Sequence, residues 1–538
     1  MVWKMRQANG MEGPERERKR NGLIAVLKDN SGKMLLAVFA GVLMTAAFPV
    51  IDAWYAAWAA VALLLFAVRE PRPRLNFWLG FLAGLVHYLS LLYWLVPTMR
   101  IYGYLPWVAS LLSLILLAGY LALYIALFAW LLTRLCPRPA MILGAAPLFW
   151  VGLEYLRGAL FSGFPWGLLG YSQYRQLSLI QISDIFGVWG VSGLIVLANA
   201  AVFLLLGFFA KKDWQKTAIS GRTAGAGVLI LLIVFLSVWG YGSFRCYAVD
   251  RRAADAETID VAVVQGNVAQ MFKWDKAFRE KTLDRYFSLS AKASGPEPDL
   301  VVWPETAAPF YFHYETEFKE KLLDGITAHG RAYLVGAPSV DISGESPVYY
   351  NSAYLIDPEG QVLGRYDKVH LVPFGEYVPL KKLLPFMDTL VAQVGDFVAG
   401  EKGHTIAWAD TDIGMLICYE AIFPGLSAEM TASGADVLVN ITNDAWFGKT
   451  AGPAQHFSMA VFRAVENRRS LVRAANTGIS GIIDPAGRIL ETTALMEPAV
   501  LTRSVSLLKG DETIYTRYKD FLPYGCLVAS LIIIMIKL

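Results

Sequence analysis

Long apolar runs crowd the first 244 residues of the chain, and a further apolar run lies at its C-terminal end. A bilayer core about 30 Å thick needs roughly 20 consecutive apolar residues of helix. The first two runs are short, and they are also compatible with a tight hairpin that turns at Pro49 and Asp52. The pattern predicts about eight transmembrane helices, at 34–48, 52–68, 75–96, 107–133, 139–158, 186–209, 223–244 and 521–536.

Between residues 245 and 520 the pattern changes to short apolar segments that alternate with longer, more polar ones. β-branched runs followed by turn residues predict strands at 259–264, 300–303, 333–335, 353–356, 413–417, 437–441, 471–474 and 479–483. Helices are predicted between them at 275–293, 314–329, 425–433 and 454–468. Strands this apolar are typical of sheets buried on both faces, so we expect an α/β domain whose strands are covered by helices.

The chain is therefore predicted to have four regions: a basic N-terminal arm at 1–33, a seven-helix transmembrane domain at 34–244, an α/β domain at 245–520 and a C-terminal transmembrane helix at 521–538. Lysines and arginines concentrate in the arm and in the loops of one predicted side, whereas the loops of the other side carry only Arg100 and Arg175. The positive-inside rule then places both termini in the cytoplasm and the α/β domain outside it, in the periplasm of a bacterium. The basic start followed by 34–48 is also compatible with a cleaved signal peptide, which leaves the rest of this topology unchanged.

Composition agrees with residence in a membrane, because 55% of the residues are hydrophobic and the mean hydropathy is +0.43. The net charge of +3 combines the basic loops with the α/β domain, so it says little about the function of either region. No nucleic-acid motif accompanies the basic arm, so no nucleic-acid partner is expected. The four cysteines show neither paired nor metal-binding spacing, which predicts no metal and no cofactor.

Three polar residues close predicted strands of the α/β domain or follow them. Cys418 ends an apolar strand and precedes a helix, a place where α/β sheets present reactive groups and where the helix N-terminus would lower the thiol pKa. Glu305 ends another strand, and Lys368 lies in a loop after a third. Taken singly, each residue has an ordinary structural explanation. Cys418 could be a small buried hydrophobic residue, Glu305 could cap the following segment, and Lys368 could be a solvated surface lysine.

Taken together, these segments resemble the Glu-Lys-Cys triad of the nitrilase, or carbon–nitrogen hydrolase, superfamily. The motifs are Trp-Pro-Glu at 303–305, Tyr-Asp-Lys-Val-His-Leu at 366–371 and Ile-Cys-Tyr-Glu at 417–420, and the resemblance covers nearly all of 258–505. The membrane frame and three further segments make the chain similar to the membrane-bound apolipoprotein N-acyltransferase branch; these are Gln-Gly-Asn at 265–267, His-Leu-Val-Pro-Phe-Gly-Glu at 370–376 and Asn-Asp-Ala-Trp-Phe-Gly at 443–448. The resemblance implies an αββα sandwich for the outer domain.

It also implies an activity at the inner membrane of a bacterium. An acyl chain would pass from a membrane phospholipid, through a thioester on Cys418, to the α-amine of the S-diacylglyceryl cysteine of an apolipoprotein. Glu305 would act as general base and Lys368 would stabilise the oxyanion. A monomer is expected. The resemblance further implies supporting roles for Glu376, Tyr419 and Glu420, and substrate contacts for Trp274, Trp446 and Asn443, although plain core packing is an equal alternative for either tryptophan.

Two other functions stay open. A membrane-anchored amidase would use the same triad for hydrolysis, but about eight spans exceed what an anchor needs. A transporter or scaffold with an inactive outer domain is the second, and the presence of all three triad residues argues against it. Residues 380–399 suit either an interfacial arm or a surface helix. Glu154 and Arg157, three residues apart, are expected to pair with each other.

Overall fold

The N-terminal part of the chain is helical, as its apolar runs predict. The computed structural model describes residues 30–270, 273, 276–293, 297–344, 346–377, 397–510 and 512–537. Its N-terminal helices are α1 (Ser31–Ala46), α2 (Ala57–Ala67), α3 (Pro73–Leu91), α4 (Leu95–Ile101), α5 (Trp107–Leu135), α6 (Ile142–Ala159), α7 (Leu177–Ile180), α8 (Ser183–Phe209) and α9 (Gly221–Ala254). A small hairpin of β1 (Asp213–Trp214) and β2 (Thr217–Ala218) joins the last two.

Several of these helices can cross a membrane. Within the described residues, four are long and apolar enough: Trp107–Leu135, Pro139–Ser162, Ser183–Phe209 and Gly221–Ala254. α3 and α4 together form a possible fifth span, bent by 50° at the break between them. The remaining apolar helices, Ser31–Ala46, Trp54–Ala67 and Phe521–Lys537, are shorter. The helical membrane region is confirmed, and the count of about eight spans stays a prediction.

α9 is longer than a bilayer core is thick, and its C-terminal end reaches the α/β domain. Its 34 residues give it a length of about 51 Å, well over the thickness of a bilayer core. Near its C-terminal end, Val249 packs against Ala486 and Leu508, and Asp250 pairs with Arg488. The predicted boundary at 244/245 falls inside this continuous helix, so the two regions are joined by a rigid element.

The outer domain contains two six-stranded sheets within the described part of the chain. Their orders are β14-β3-β4-β5-β6-β7 and β13-β12-β11-β10-β9-β8. The strands are β3 (Thr258–Gln265), β4 (Leu300–Val302), β5 (Ala332–Asp341), β6 (Val348–Ile356), β7 (Val362–Asp367), β8 (Ile406–Trp408), β9 (Thr411–Ile417), β10 (Val437–Thr442), β11 (Ser470–Ala475), β12 (Gly481–Ile483), β13 (Ile489–Thr492) and β14 (Ala499–Ser506). β3, β4 and β5 run parallel, as do β9, β10 and β11.

The two sheets pack face to face between layers of helix. Successive side chains of a strand point to opposite faces, so in β3 Val261 and Val263 enter the core shared with the second sheet. Ala262 and Val264 face the other way, into the cluster formed with the helices of the first sheet. This is the predicted αββα sandwich. The helices of this domain are α10 (Lys276–Ser290), α11 (Thr316–His329), α12 (Pro424–Ala432) and α13 (Gly452–Asn467). After β14 come α14 (Ile514–Tyr518) and the apolar α15 (Phe521–Lys537), which packs against α6.

The position of α13 brings the second sheet close to the membrane region. Its residues are buried almost throughout, because it contacts β11 on one side and α8 on the other. Parallel strands bring their carboxyl ends to one edge of a sheet. The residues that follow β4, β9 and β10 therefore meet beside the helices of the membrane region.

Candidate active site

Cys418 lies where β9 ends and a 3₁₀ turn, Cys418–Ile422, begins. The preceding residues of β9 are buried and apolar, which fixes the strand and leaves the cysteine at its edge. The side chain is 8% exposed, and the backbone has φ of 56°, in the left-handed region. That conformation costs a residue with a Cβ roughly 1–2 kcal/mol. Contacts around the cysteine must therefore hold it in place.

Glu305 follows β4 and has both carboxylate oxygens fixed by hydrogen bonds. Oε1 accepts from Nδ2 of Asn351 at 2.7 Å, and Oε2 accepts from the backbone N–H of Asn443 at 2.8 Å. A Cβ at Gly336 in the neighbouring strand would lie 2.7 Å from the Glu305 Cα, so only glycine permits this approach. The carboxylate, 6% exposed, is thus held rigidly inside the protein.

Lys368 comes directly after β7 and is only 1% exposed, so it is not an ordinary solvated lysine. Its Nζ lies 2.8 Å from Oε1 of Glu376 and 3.8 Å from Oε1 of Glu305. Burial alone would lower the pKa of the ammonium, but the carboxylates of Glu376 and Glu305 outweigh burial and raise the pKa above its usual value. A fixed positive charge results.

The surroundings of the Cys418 thiol favour its protonated form. Burial and the neighbouring charge of Glu305 raise its pKa above the usual range, while Lys368 acts in the opposite direction. The expected lowering of the pKa by a helix N-terminus was wrong, because burial dominates. The Glu305 carboxylate is near enough for its charge to act on the thiol, so it is a candidate acceptor for the thiol proton.

Glu376, predicted as a supporting residue, links Glu305 to Lys368. Its Oε1 accepts from Lys368 Nζ and from Asn351 Nδ2, the latter at 2.9 Å. Its Oε2 accepts from the backbone N–H of Val372 at 2.8 Å. Since the same Asn351 amide also bonds Glu305, one side chain spaces the two carboxylates.

Glu420, also predicted as supporting, is fully buried two residues after the cysteine. Its carboxylate accepts from the backbone N–H groups of Val369, His370 and Ile417 at 2.6, 3.0 and 2.6 Å, and from the Tyr366 hydroxyl. Glu420 thereby ties the segment that begins with the lysine to the strand that ends at the cysteine. Tyr419 is half-buried and packs edge-on against Phe423, with ring centroids 5.1 Å apart.

The predicted substrate contacts are placed differently from one another. Trp446 is 38% exposed, and its ring lies 5.1 Å from that of Tyr102. Asn443 is buried; its side chain bonds Gln270 and Asn476. Trp274 and most of 380–399 lie outside the described residues. Substrate contact by these residues stays a prediction.

Two residues of the site were not predicted from the sequence. Asn351, on β6, donates hydrogen bonds to both Glu305 and Glu376. No local sequence pattern predicts this contact. Lys273 is fully buried and donates from Nζ to the Glu305 carbonyl oxygen at 3.0 Å. Burial lowers its pKa to about 7. The only sequence feature that pointed to Lys273 is its position next to Trp274 in Phe-Lys-Trp-Asp.

Elements of the membrane region form one side of the site. Thr98 of α4 and Tyr102, just after its end, donate to the carbonyl oxygens of Trp446 and Ala445 at 2.8 and 2.9 Å. These bonds fix the 3₁₀ turn Asp444–Phe447, which follows the residue that bonds the base. The cluster around Glu305 is thus connected, through this turn, to helices of the membrane region.

Glu154 and Arg157 do not pair with each other, contrary to expectation. Arg157 donates to the carbonyl oxygens of Phe164, Trp166 and Gly167 at 3.0, 2.7 and 3.4 Å, and Glu154 accepts from the N–H of Leu169 at 2.8 Å. Both therefore shape the backbone of 164–169, which carries Trp166 beneath the outer domain. An i, i+3 spacing could not reveal this, because the partners are backbone groups in a later loop.

Known proteins share both halves of this architecture. A family described as the apolipoprotein N-acyltransferase N-terminal domain matches residues 40–201, and the carbon–nitrogen hydrolase family matches 260–515. An apolipoprotein N-acyltransferase of Geobacter metallireducens is 45% identical over 93% of this chain and 94% of its own length. This chain belongs to the apolipoprotein N-acyltransferase family. Another member, from Azotobacter vinelandii, is 36% identical over 92% of this chain and 93% of its own.

Solved structures of an amidase from the nitrilase superfamily also match. A mutant amidase from Nesterenkonia sp. AN1 is 23% identical, with a TM-score of 0.35, over 46% of this chain and 90% of its own. As an apolipoprotein N-acyltransferase, this chain is an enzyme of lipoprotein maturation and a membrane protein.

Proposed function

We propose that this chain moves an acyl chain from a membrane phospholipid, through a thioester on Cys418, to the N-terminal amine of an S-diacylglyceryl-cysteine apolipoprotein. The observation that carries the proposal is the buried cluster of Cys418, Glu305 and Lys368 at the edge of the sandwich nearest the membrane helices. A thiol, a carboxylate and an ammonium are the nucleophile, base and cation that acyl transfer needs.

In the first step, the Cys418 sulfur attacks the ester carbonyl of the phospholipid as Glu305 takes the thiol proton. Negative charge develops on the former carbonyl oxygen, and the Lys368 ammonium stabilises it. The ester C–O bond then breaks, and Glu305 returns the proton to the departing oxygen. The products are a lysophospholipid and an S-acyl cysteine.

In the second step, the apolipoprotein amine attacks the thioester carbonyl and gives a proton to Glu305. The C–S bond breaks, an amide forms, and the Cys418 sulfur regains the proton from Glu305. The enzyme returns to its starting state, so donor and acceptor can use one site in turn.

Burial favours transfer over hydrolysis. A thioester on a cysteine that is 8% exposed has little contact with bulk water, and an apolar site slows the competing reaction with water. Helices beside the site offer a route for lipid chains, which a soluble amide would not need. Both features support transfer against the amidase alternative.

The finer location follows from charge and remains part of the proposal. We place the chain in the inner membrane of a bacterium as a monomer, with 245–520 in the periplasm and both termini in the cytoplasm. The uneven distribution of lysine and arginine over the loops supports this orientation. The domain limits 1–33, 34–244, 245–520 and 521–538 are proposed on the same basis.

The test is a reconstituted assay with phospholipid vesicles and a diacylated peptide bearing a free N-terminal cysteine amine. We expect a triacylated peptide and a lysophospholipid in equal amounts. Lys368→Met, which removes the cation, should slow turnover by about 10²–10³-fold, while Glu305→Gln and Cys418→Ala should abolish it. Free fatty acid without triacylated peptide would establish hydrolysis and refute the proposal.

A further inference from the structure

A buried histidine touches the backbone of the proposed nucleophile. His456, in α13, has no exposed surface, and its Nε2 lies 3.1 Å from the carbonyl oxygen of Cys418. A carbonyl oxygen can only accept, so Nε2 carries the hydrogen of this bond. The imidazole therefore bonds the main chain of Cys418, and Glu305 remains the proposed base for the thiol.

The orientation of that imidazole is fixed from its other side. With the hydrogen on Nε2, Nδ1 accepts from Nη2 of Arg473 at 3.0 Å, and the same nitrogen donates to Oδ2 of Asp444 at 2.8 Å. The Asp444 carboxylate also accepts from Thr442 Oγ1 at 2.9 Å. Burial would raise the pKa of Asp444, but Arg473 and His456 lower it to about 2, so the carboxylate is ionised. The fully buried Arg473 guanidinium, paired with this carboxylate, thus sets the tilt of the ring.

The residue before His456 anchors α13 to the membrane helices. Gln455 Oε1 accepts from the indole N–H groups of Trp94 and Trp166 at 3.1 and 2.8 Å. Its Nε2 donates to the carbonyl oxygens of Pro49 and Leu91, each at 3.2 Å. The start of α13, and with it the imidazole, is held in place by the membrane region.

The neighbours Asn443 and Asp444 connect the base and the nucleophile. The N–H of Asn443 bonds the Glu305 carboxylate at 2.8 Å, and the Asp444 side chain binds Arg473, which donates to Nδ1 of His456. The left-handed backbone of Cys418 needs such a restraint, since φ of 56° is a high-energy conformation. Fixing its carbonyl oxygen fixes the direction in which the residue faces Glu305.

We propose that His456 is a positioning residue of the reaction: through its bond to the Cys418 carbonyl, and with its ring oriented by Arg473, which Asp444 holds, it keeps the nucleophile aligned with the general base. This inference rests on the proposed function, in which Cys418 becomes acylated. Displacement of a reacting group by about 1 Å costs roughly 100-fold in rate, so loss of the bond should act on turnover.

The experiment compares two amides at position 456 in the full chain in phospholipid vesicles. In His456→Gln, the side-chain amide nitrogen reaches the place of Nε2 and can donate to the Cys418 carbonyl; in His456→Asn it is too short. Met459→Leu, a volume-conserving change at a buried position of the same helix, controls for packing. The readouts are the rate of acyl-Cys418 formation by mass spectrometry, KM for phospholipid and Tm.

We expect His456→Asn to lower the acylation rate by about 100-fold at unchanged KM, His456→Gln to recover to within about tenfold of wild type, and Met459→Leu to match wild type. Equal rates in the two amide variants would overturn the inference, as would loss of the folding transition in both while Met459→Leu stays folded. Absence of acyl-Cys418 in wild type would instead refute the proposed function, so the two failures are distinguishable.

Discussion

Burial has opposite consequences for the two lysines of the site. Lys368 has the carboxylates of Glu376 and Glu305 near its Nζ, and their charge keeps its pKa high. Lys273 donates to the main-chain oxygen of Glu305, a weaker partner than a carboxylate, and burial lowers its pKa to about 7. The charge of Lys273 therefore changes near neutral pH, while that of Lys368 does not.

This difference predicts a pH-dependent stability that belongs to Lys273. The usual pKa of the lysine is 10.5 and the folded value is about 7, so between these values the unfolded chain binds one more proton than the native chain. Stability should rise with pH across that window, by at most about 1.4 kcal/mol per pH unit. Lys273→Met should lose this rise in Tm, whereas Lys292→Met, at an exposed position, should keep it. Parallel Tm–pH curves for wild type and Lys273→Met would contradict the assignment.

The 3₁₀ turn Cys418–Ile422 is the element on which the site depends. It begins with the nucleophile and carries Glu420, whose carboxylate binds three backbone N–H groups from two segments. Such charge-assisted bonds are roughly twice as strong as neutral ones. The turn therefore holds the lysine segment and the cysteine strand at a fixed separation.

Replacing this carboxylate should loosen both segments. Glu420→Gln leaves one acceptor oxygen and points an NH₂ group at backbone donors, so we expect a loss of about 2–3 kcal/mol in the free energy of unfolding and a clear fall in acylation rate. Glu429→Gln makes the same change on α12, the next helix, and should leave both nearly unchanged. Denaturation curves and the vesicle assay check this, and a Glu420→Gln protein with wild-type stability and rate would exclude the role.

The local pattern of apolar and polar residues predicts the buried helices and strands of this fold. It fails for strands that form only by pairing with segments far away in the sequence. The predicted strand 413–417 corresponds to β9, Thr411–Ile417, and the predicted helix 454–468 to α13, Gly452–Asn467. β14 was not predicted, because it is half-exposed and is a strand through antiparallel pairing with β3 far away in sequence.

The same limit applies to the site. The triad and its carboxylate supports followed from motifs, since each lies within a short ordered segment. Asn351 and Lys273 act on Glu305 across separations of 46 and 32 residues, and His456 reaches Cys418 across 38. No local periodicity carries such contacts, so these residues required the fold.

At the scale of the whole molecule, buried charges join the two regions. Asp184 at the start of α8 pairs with Arg245 of α9 and with Arg468 after α13. Breaking one partner of a buried pair is costly, so these contacts resist separation of the outer domain from the helices. Rigid union keeps the site at a fixed height relative to the bilayer.

The predicted orientation can be checked with single added cysteines. Ser343→Cys lies at an exposed position in the outer domain, and Lys211→Cys lies in an exposed basic loop of the predicted cytoplasmic side. In intact spheroplasts, a membrane-impermeant maleimide should label the first above the level of the parent chain and the second only after lysis. The reverse pattern would invert the proposed topology.

The central claim is that Cys418 carries the acyl chain as a thioester. The most direct test is the mass of the peptide that contains Cys418 after incubation of the enzyme with phospholipid alone. We predict an increase of one acyl chain on this cysteine, which disappears when the diacylated peptide is added and reappears as triacylated product. Formation of triacylated product by an enzyme whose Cys418 never carries an acyl chain would contradict the thioester mechanism.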